Sequence, residues 1–394
     1  MSSREVYIAS AVRSAVAKLY GSLSNVDQIE LGSTVVAEAI KRSKVDVTKI
    51  DEINFSDNYR TGKTASNISR VVGINAGLPI EVPGYTVNMH CGGSLKSIML
   101  ASSLIKANDA DAIVAGGIEV MSQAAYLVPD MRLGAKIQNY IIKDPLLIQD
   151  PIAKMSMGET AEKVAREFGI TRQEQDEFAH LSQQRAERAL KNEVFNEQIV
   201  PVKIKGKKGE VSYFNTDEHP RFGTTIEKLS HLKPVFDKEG TVTAGNSSGM
   251  NDGASATVII SGELAEKGGI QPLAKIVSYA SVGVDPTIMG TGPVPASKIA
   301  LEKAGLTIND MDLIELNEAF ASMCIYFIRE MKPDLDKLNV NGGAISLGHP
   351  IAATGGILLT KIIHELKRRK GRYGLVTMCI GGGQGVALIV DTYV

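Results

Sequence analysis

The sequence predicts an α/β protein built on mainly parallel sheets, and three observations carry that prediction. Short apolar runs rich in Val and Ile alternate with longer helical patterns, the signature of βαβ units. The alternation begins afresh near residue 272, and DAIVAGGIEV (111–120) near the end of the first series echoes GLVTMCIGGG (374–383) near the end of the second, which points to a duplicated fold with two similar sheets packed through central helices. Glycine is abundant, at 38 of 394 residues, as tightly packed α/β layers require.

The first series runs VYIASAV (6–12) as a strand, LGSTVVAEAIKRS (31–43) as a helix and INFSD (53–57) as a strand. LKSIMLASSLIKAN (95–108) follows as a helix and DAIVAGGIEVMS (111–122) as a strand. In the second series LAKIVSYASV (273–282) reads as a strand, VPASKIALEKAG (294–305) as a helix, DLIELN (312–317) as a strand and AFASMCIYFIREM (319–331) as a helix. GLVTMCIGGGQGVALIVDTYV (374–394) reads as two strands around a glycine turn. Residues 121–250 have another texture, with a charged helical stretch (160–192) in which Thr171 and Glu174 form a capping box. They read as an insertion lying over the core, and its basic KIKGKKG is either a solvated hairpin tip or a positive patch for a nucleotide phosphate.

With 44% hydrophobic and 22% charged residues, the chain reads as a soluble globular protein. A formal net charge of −1 supplies no general field for nucleic acid or a membrane surface, so an anionic ligand must be met locally. The three cysteines, Cys91, Cys324 and Cys379, make neither a disulfide framework nor a C-x-x-C metal pair. No metal site is expected. The start lacks the apolar stretch of a signal peptide and no uncharged run is long enough for a bilayer, so a cytoplasmic location is expected.

The chemistry gathers at four glycine-flanked places. In VNMHCGGSLKSI (87–98), Cys91 sits where a strand gives way to a helix, whose free N–H groups lower a thiol pKa and stabilise an oxyanion. The plainer reading is a small buried hydrophobe. His90 is the neighbour, but on an extended segment its side chain points to the opposite face, which makes it a packing or supporting residue rather than the base. His349, packed among Gly342, Gly343, Gly348 and Pro350 before a helix, is better placed for use. In TMCIGGGQG (377–385), Cys379 ends an apolar strand, and the backbone N–H groups after it can approach a ligand closely. In ELNEAF (315–320), Asn317 can hold a water or carbonyl oxygen, and Glu318 can orient an imidazole or satisfy a buried donor. Cys324, inside an apolar helical run, is a core residue.

In order and spacing, the turn at 88–91, NEAF (317–320), NGGAISLGHP (341–350) and CIGGGQG (379–385) resemble the thiolase family. SMGETAEKVAREFGI (156–170), TAGNSSGMNDGAS (243–255) and MGTGPVPA (289–296) agree with it, and the resemblance runs from about residue 5 to the C-terminus. It implies the thiolase fold: two duplicated βαβαβαββ halves in a five-layered α-β-α-β-α arrangement with an inserted loop domain. The halves fall at 1–120 plus 251–271 and at 272–394, with the loop domain covering the CoA site at 121–250.

The resemblance also implies roles. Cys91 becomes acylated, His349 activates it or the incoming CoA thiol, and Cys379 protonates the leaving enolate or removes the α-proton in reverse. The N–H groups of Cys91 and Gly381 form one oxyanion hole, and His349 with a water on Asn317 the other. Ser248, Arg221, Phe320 and Met157 are the expected contacts to coenzyme A, which is a co-substrate and not a tightly bound cofactor. Acyl-CoA and CoA are the expected partners, with a homodimer or homotetramer, and an accessory subunit is allowed. Nucleic acid and membranes are not expected.

The chain departs from the family pattern in places. Cys91-Gly92-Gly93-Ser94 stands for the usual Cys-Gly-Ser-Gly, which puts the serine's hydrogen bond in the turn in question. Ser156 stands where acetoacetyl-specific members commonly have histidine, Ala352 replaces a common glycine, and 56–70 differs from a glutamine-rich pattern. These changes favour a degradative thiolase with an acyl group other than acetoacetyl: branched, aromatic or dicarboxylic. The alternatives are a biosynthetic acetoacetyl-CoA thiolase, a decarboxylating condensing enzyme, and a non-catalytic acyl-CoA-binding paralogue needing a partner subunit. The Cys379 and GHP pair argues against the second, and the intact set of Cys91, His349, Cys379 and Asn317 against the third.

Overall fold

The computed structural model describes residues 4–59, 67–129, 131, 134, 137, 139–206 and 209–394. The first series folds as β1 (Val6–Ser14), the short β2 (Ala17–Lys18), α1 (Gln28–Ser43), β3 (Glu52–Ser56), α2 (Ile68–Asn75), β4 (Gly84–Val87), α3 (Gly93–Ala107) and β5 (Ala112–Val120). Then come α4 (Met157–Glu167), α5 (Arg172–Lys191), β6 (Ile199–Val200), the hairpin β7 (Val202–Lys205) and β8 (Val211–Phe214), and α6 (Ile226–Ser230). The chain returns through β9 (Asn251–Ser261) and α7 (Gly262–Gly268) to a second series: β10 (Ala274–Gly283), α8 (Pro293–Ala304), β11 (Leu313–Leu316), α9 (Ala321–Met331), α10 (Ala344–Leu347), α11 (Thr354–Arg369), β12 (Tyr373–Ile380) and β13 (Gln384–Asp391).

Local chemistry accounts for these elements. Helix α1 starts at Asp27, whose carboxylate accepts the Ile29 N–H, carries Glu30 in its first turn and Lys41 and Arg42 in its last, and buries Leu31, Val35, Val36 and Ala39 along one stripe. Thr171 and Glu174 form the capping box expected for α5. Every residue of β5 and β9 is buried, so these strands read as continuous rather than alternating patterns.

The sheets are mixed rather than mainly parallel as expected: β4-β3-β5 and β11-β12 run parallel, whereas β5-β9-β1-β10 and β12-β13-β10 are antiparallel, since the tight glycine turn between β12 and β13 can join only antiparallel strands. The two halves share a strand order. It is β4-β3-β5-β9-β1 in the first and β11-β12-β13-β10 in the second, and the halves meet edge to edge where β1 pairs with β10 at Tyr7↔Lys275 and Ile8↔Ala274. The position of β4 is taken in the second half by a single bridge between Ile314 and Leu338, so the third strand of that half is reduced to one residue pair. Three cores fill the four interfaces of five layers, the central one lying on both faces of the middle helices. Leu31, Val35, Phe55 and Val258 pack between α1, α2 and the first sheet, and Leu95, Ile98, Leu359, Ile362 and Val376 pack around α3 and α11 between the sheets. Val294, Leu301, Phe327 and Ile389 pack under α8 and α9. Each such side chain contributes about 1.5–3 kcal/mol on burial.

The central helices meet closely at their N-termini, the end that carries the chemistry. A Cβ on Gly355 would lie 2.7 Å from the backbone N of Leu95, so only glycine allows α11 to start against α3. There Ser94 Oγ accepts the Gly356 N–H at 3.0 Å. The serine displaced along the turn thus bonds across to the partner helix and supplies one of the acceptors that the first turn of α11 lacks. Among the described residues, no helix is long and apolar enough to cross a membrane. Lys207 and Lys208 of the basic hairpin, and residues 60–66 of the divergent stretch, lie outside the described residues.

Candidate active site

Cys91 sits in a single 3-10 turn, His90–Gly92, between β4 and α3. The turn is not an extended segment: His90 has φ of 44°, is exposed, and its backbone N–H donates to Asn88 Oδ1 at 3.3 Å. Its position in this turn, rather than alternation along a strand, is what separates it from Cys91. Facing Cys91 is the turn after β12, where Gly382 and Gly383 have φ of 84° and 79°. This path aims the Gly381 N–H at the Cys91 sulfur, which also receives its own backbone N–H. The Gly383 carbonyl accepts the Val284 N–H at 2.7 Å, which fixes the turn.

The thiol environment differs from expectation. Burial raises the Cys91 pKa to about 11, and the N–H groups of Gly381 and of Cys91 itself only partly offset it, while buried Glu119 adds to the rise. Cys91 is half-buried as a residue, whereas Cys379, near the end of β12, is fully buried; burial first, and then the charge of a Cys91 thiolate, holds the Cys379 thiol far above the ordinary range. The two sulfurs therefore feel each other across the site. Cys379 Sγ lies 3.8 Å from Met323 Sδ.

His349 is buried, and burial lowers its pKa to about 4, so the ring is neutral at rest. Its Nδ1 lies 2.7 Å from Thr354 Oγ1 and its Nε2 3.5 Å from Asn317 Nδ2. Its backbone N–H donates to Asn251 Oδ1 at 2.9 Å. Asn317 is 2% exposed, and its Oδ1 is buried with no hydrogen-bond partner among the described residues, an open acceptor beside the imidazole. Glu318 does not orient the imidazole. It accepts from Ser182 Oγ at 2.6 Å, Asn339 Nδ2 at 2.8 Å and the Ile345 N–H at 3.2 Å, which ties the NGG loop to α5.

The NSSG turn laces these pieces together. Ser247 bridges Phe320 and Met250 bridges His349, while the Ser248 N–H donates to Ala319 O at 2.9 Å. Phe320 meets Phe236 edge-on at 6.2 Å, and a Cβ on Gly381 would lie 3.3 Å from Met157 Sδ. Met157, Phe320, Met289, Met323 and Ala319 form an apolar wall around Cys379. Arg221 is exposed, and its backbone N–H donates to Gln183 Oε1 at 3.0 Å. Cys324 is core, as expected. The structure thus brings together Cys91, Gly381 and Cys379 at one spot, and Asn317 and His349 at another; the Cys91 turn packs on residues 351–353, just after His349. Among the described residues, no group of three or more His, Cys, Asp or Glu could hold a metal ion.

Two family profiles match the chain: Thiolase, N-terminal domain, over residues 6–263, and Thiolase, C-terminal domain, over residues 270–392. The chain belongs to the thiolase family. It is accordingly an acyltransferase of a family that uses CoA as a substrate. It is 47% identical over 392 residues to the beta-ketothiolase BktB of Cupriavidus necator, covering 99% of each chain. The crystal structure of the Bacillus anthracis acetyl-CoA acetyltransferase superposes with a TM-score of 0.96 at 42% identity, over 99% of each chain. That of human mitochondrial 3-ketoacyl-CoA thiolase in complex with CoA gives 0.93 at 39% identity, over 99% of this chain and 98% of the other.

The family departures have physical counterparts. Ser156 caps α4 through a capping box with Glu159, a structural task histidine would not share. The Ala352 N–H donates to Glu119 Oε2 at 3.1 Å. A Cβ at Gly93 would lie 1.8 Å from Ser56 Oγ, so Ser56 fills the space that a serine at 93 would need. Gly93→Ser is therefore expected to destabilise the fold by about 1–3 kcal/mol, and adding Ser56→Gly to recover most of it. Urea melts of the two single variants and the double check this; equal, additive losses would remove the packing argument.

Residue-type and spacing arguments missed Asn251, Glu119, Thr354, Met289 and Met323. Asn251 and Met289 lie in stretches that carry the family resemblance, whereas Glu119, Met323 and Thr354 lie outside them; none has chemistry in isolation, and only the tertiary contacts show which atoms they hold.

Proposed function

We propose that the chain catalyses CoA-dependent cleavage of a 3-ketoacyl-CoA, or the reverse Claisen condensation, through an acyl-enzyme on Cys91. The observation that carries this reading is the enclosed meeting of the Cys91 sulfur, the Gly381 N–H and the Cys379 thiol. Cys91 Sγ attacks the 3-keto carbon as its proton passes to His349, and the alkoxide is held by backbone N–H groups. The C2–C3 bond then breaks, and the enolate of the departing acyl-CoA takes the Cys379 proton. The imidazolium makes good the proton Cys379 has given. CoA then attacks the thioester as His349 accepts its thiol proton and returns one to the leaving Cys91. A neutral resting imidazole and a thiol raised by burial mean that proton transfer accompanies attack rather than preceding it.

In this reading a water on the open Asn317 Oδ1 completes a second oxyanion site with His349, and Ser248, Phe320, Met157 and Arg221 contact CoA under a loop domain spanning 121–250. The functional unit is a homodimer or homotetramer. The acyl group is larger than that of acetoacetyl-CoA, supported by Ser156 in place of a bulkier histidine and by a wall of three flexible methionines, Met157, Met289 and Met323. A second reading, a biosynthetic acetoacetyl-CoA thiolase, is favoured by the name of the Bacillus anthracis relative. A panel of 3-ketoacyl-CoAs, from acetoacetyl to long-chain, aromatic and carboxylated members, separates the two. A bulkier member is expected to have the highest kcat/KM; a strong preference for acetoacetyl-CoA would establish the second reading, and cleavage of no member a binding role.

A further inference from the structure

One hydroxyl decides which nitrogen of His349 carries the proton. Thr354, at the first position of α11, is 2% exposed, and its Oγ1 lies 2.9 Å from the Pro350 carbonyl and 2.7 Å from His349 Nδ1. A carbonyl can only accept, so the hydroxyl proton goes to Pro350 and the oxygen's lone pairs face the ring. Nδ1 then carries the hydrogen and donates to Thr354, while Nε2 is bare and accepts from Asn317 Nδ2. The reverse direction requires Asn317 to turn over. Even then Thr354, its proton on Pro350, would offer Nδ1 only lone pairs, so a ring protonated at Nε2 would lose the 2.7 Å bond to Thr354. The backbone is fixed separately: the His349 N–H goes to Asn251 Oδ1, and Asn251 Nδ2 donates to Ala17 O at 2.8 Å.

We propose that Thr354 is a positioning residue that holds His349 in the Nδ1–H tautomer, leaving Nε2 free to take a proton. The value of that tautomer for turnover rests on the reading of His349 as the base. Without an acceptor at Nδ1, the proton moves to Nε2, which then donates and cannot accept the thiol proton. Burial keeps the ring neutral, so tautomer choice, not charge, is what Thr354 controls.

The test reads the tautomer directly. In nitrogen-15 histidine-labelled protein, long-range proton–nitrogen spectra distinguish the two neutral forms, and the signals of His349, one of six histidines, are assigned by their loss in His349→Asn. The wild type is expected to show Nδ1–H, Thr354→Val to show Nε2–H, and Thr354→Ser to keep the wild-type form. In thiolysis, Thr354→Val should lower kcat by about 10- to 100-fold with little change in KM, and Thr354→Ser should restore it to within about threefold. A wild-type ring protonated at Nε2, or an unchanged tautomer in Thr354→Val, overturns the proposal. If Thr354→Val does not fold, the wild-type and Thr354→Ser spectra still decide it. Expected spectra in a chain that cleaves no 3-ketoacyl-CoA would overturn the thiolase reading and leave the tautomer assignment standing.

Discussion

Replacing Cys91 with alanine is expected to lower thiolysis by about 10⁴-fold or more, the scale seen when the nucleophile of a covalent mechanism is removed. No other group can take over. Cys379 is held further from ionisation by burial, and Cys324 is core on α9. The Gly381 N–H and the methionine wall do not depend on the Cys91 side chain, so acyl-CoA binding should persist. The expected pattern is therefore a collapse of kcat with affinity nearly unchanged, and an intact mass carrying one acyl group in the quenched wild type but not in the variant. Cys91→Ser tests the nucleophile more finely, since it keeps the turn and changes only the attacking atom. Activity within tenfold of wild type in Cys91→Ala would remove Cys91 from the mechanism.

How much of this was legible in the sequence follows from the distances over which each feature is determined. Periodicity over about ten residues set the elements, and the glycine flanks of Cys91, His349 and Cys379 marked where the backbone turns to expose a reactive group. The sheet path was not legible, because the β1–β10 junction is only two residue pairs long. Nor was the reduction of the second half's third strand to Leu338. The direction of the Cys91 shift was misjudged for a related reason. A helix end can be read from the sequence, whereas enclosure of the sulfur and the presence of Glu119 depend on packing between segments far apart in the chain. Glu119 bridges the Tyr59 and Ala352 N–H groups at 3.1 Å each, and burial, then Asp57, raises its own pKa to about 8.

The buried pair of Lys361 and Glu315 leads to the largest expected change in stability. Lys361 Nζ lies 2.7 Å from Glu315 Oε2, both side chains are 3% exposed, and the same ammonium donates to Gly342 O at 2.8 Å. Lys361→Met leaves Glu315 buried without its cation, and breaking such a pair from one side costs about 3–5 kcal/mol. Lys361→Met with Glu315→Leu should recover most of that loss, because an apolar pair of similar volume is often no less stable than the ion pair it replaces. The pH dependence has a definite sign. Burial raises the folded pKa of Glu315, and without Lys361 it rises further. The penalty is then absent below the unfolded carboxyl value, grows as pH rises through the folded one, and is larger at pH 8 than at pH 5. Function should follow stability here, since Glu315 is two residues before Asn317, and Gly342 belongs to the loop that leads through α10 to His349. Urea midpoints of the single and double variants at both pH values check the argument. A loss below about 1 kcal/mol in Lys361→Met would mean that the interior solvates Glu315 by other means.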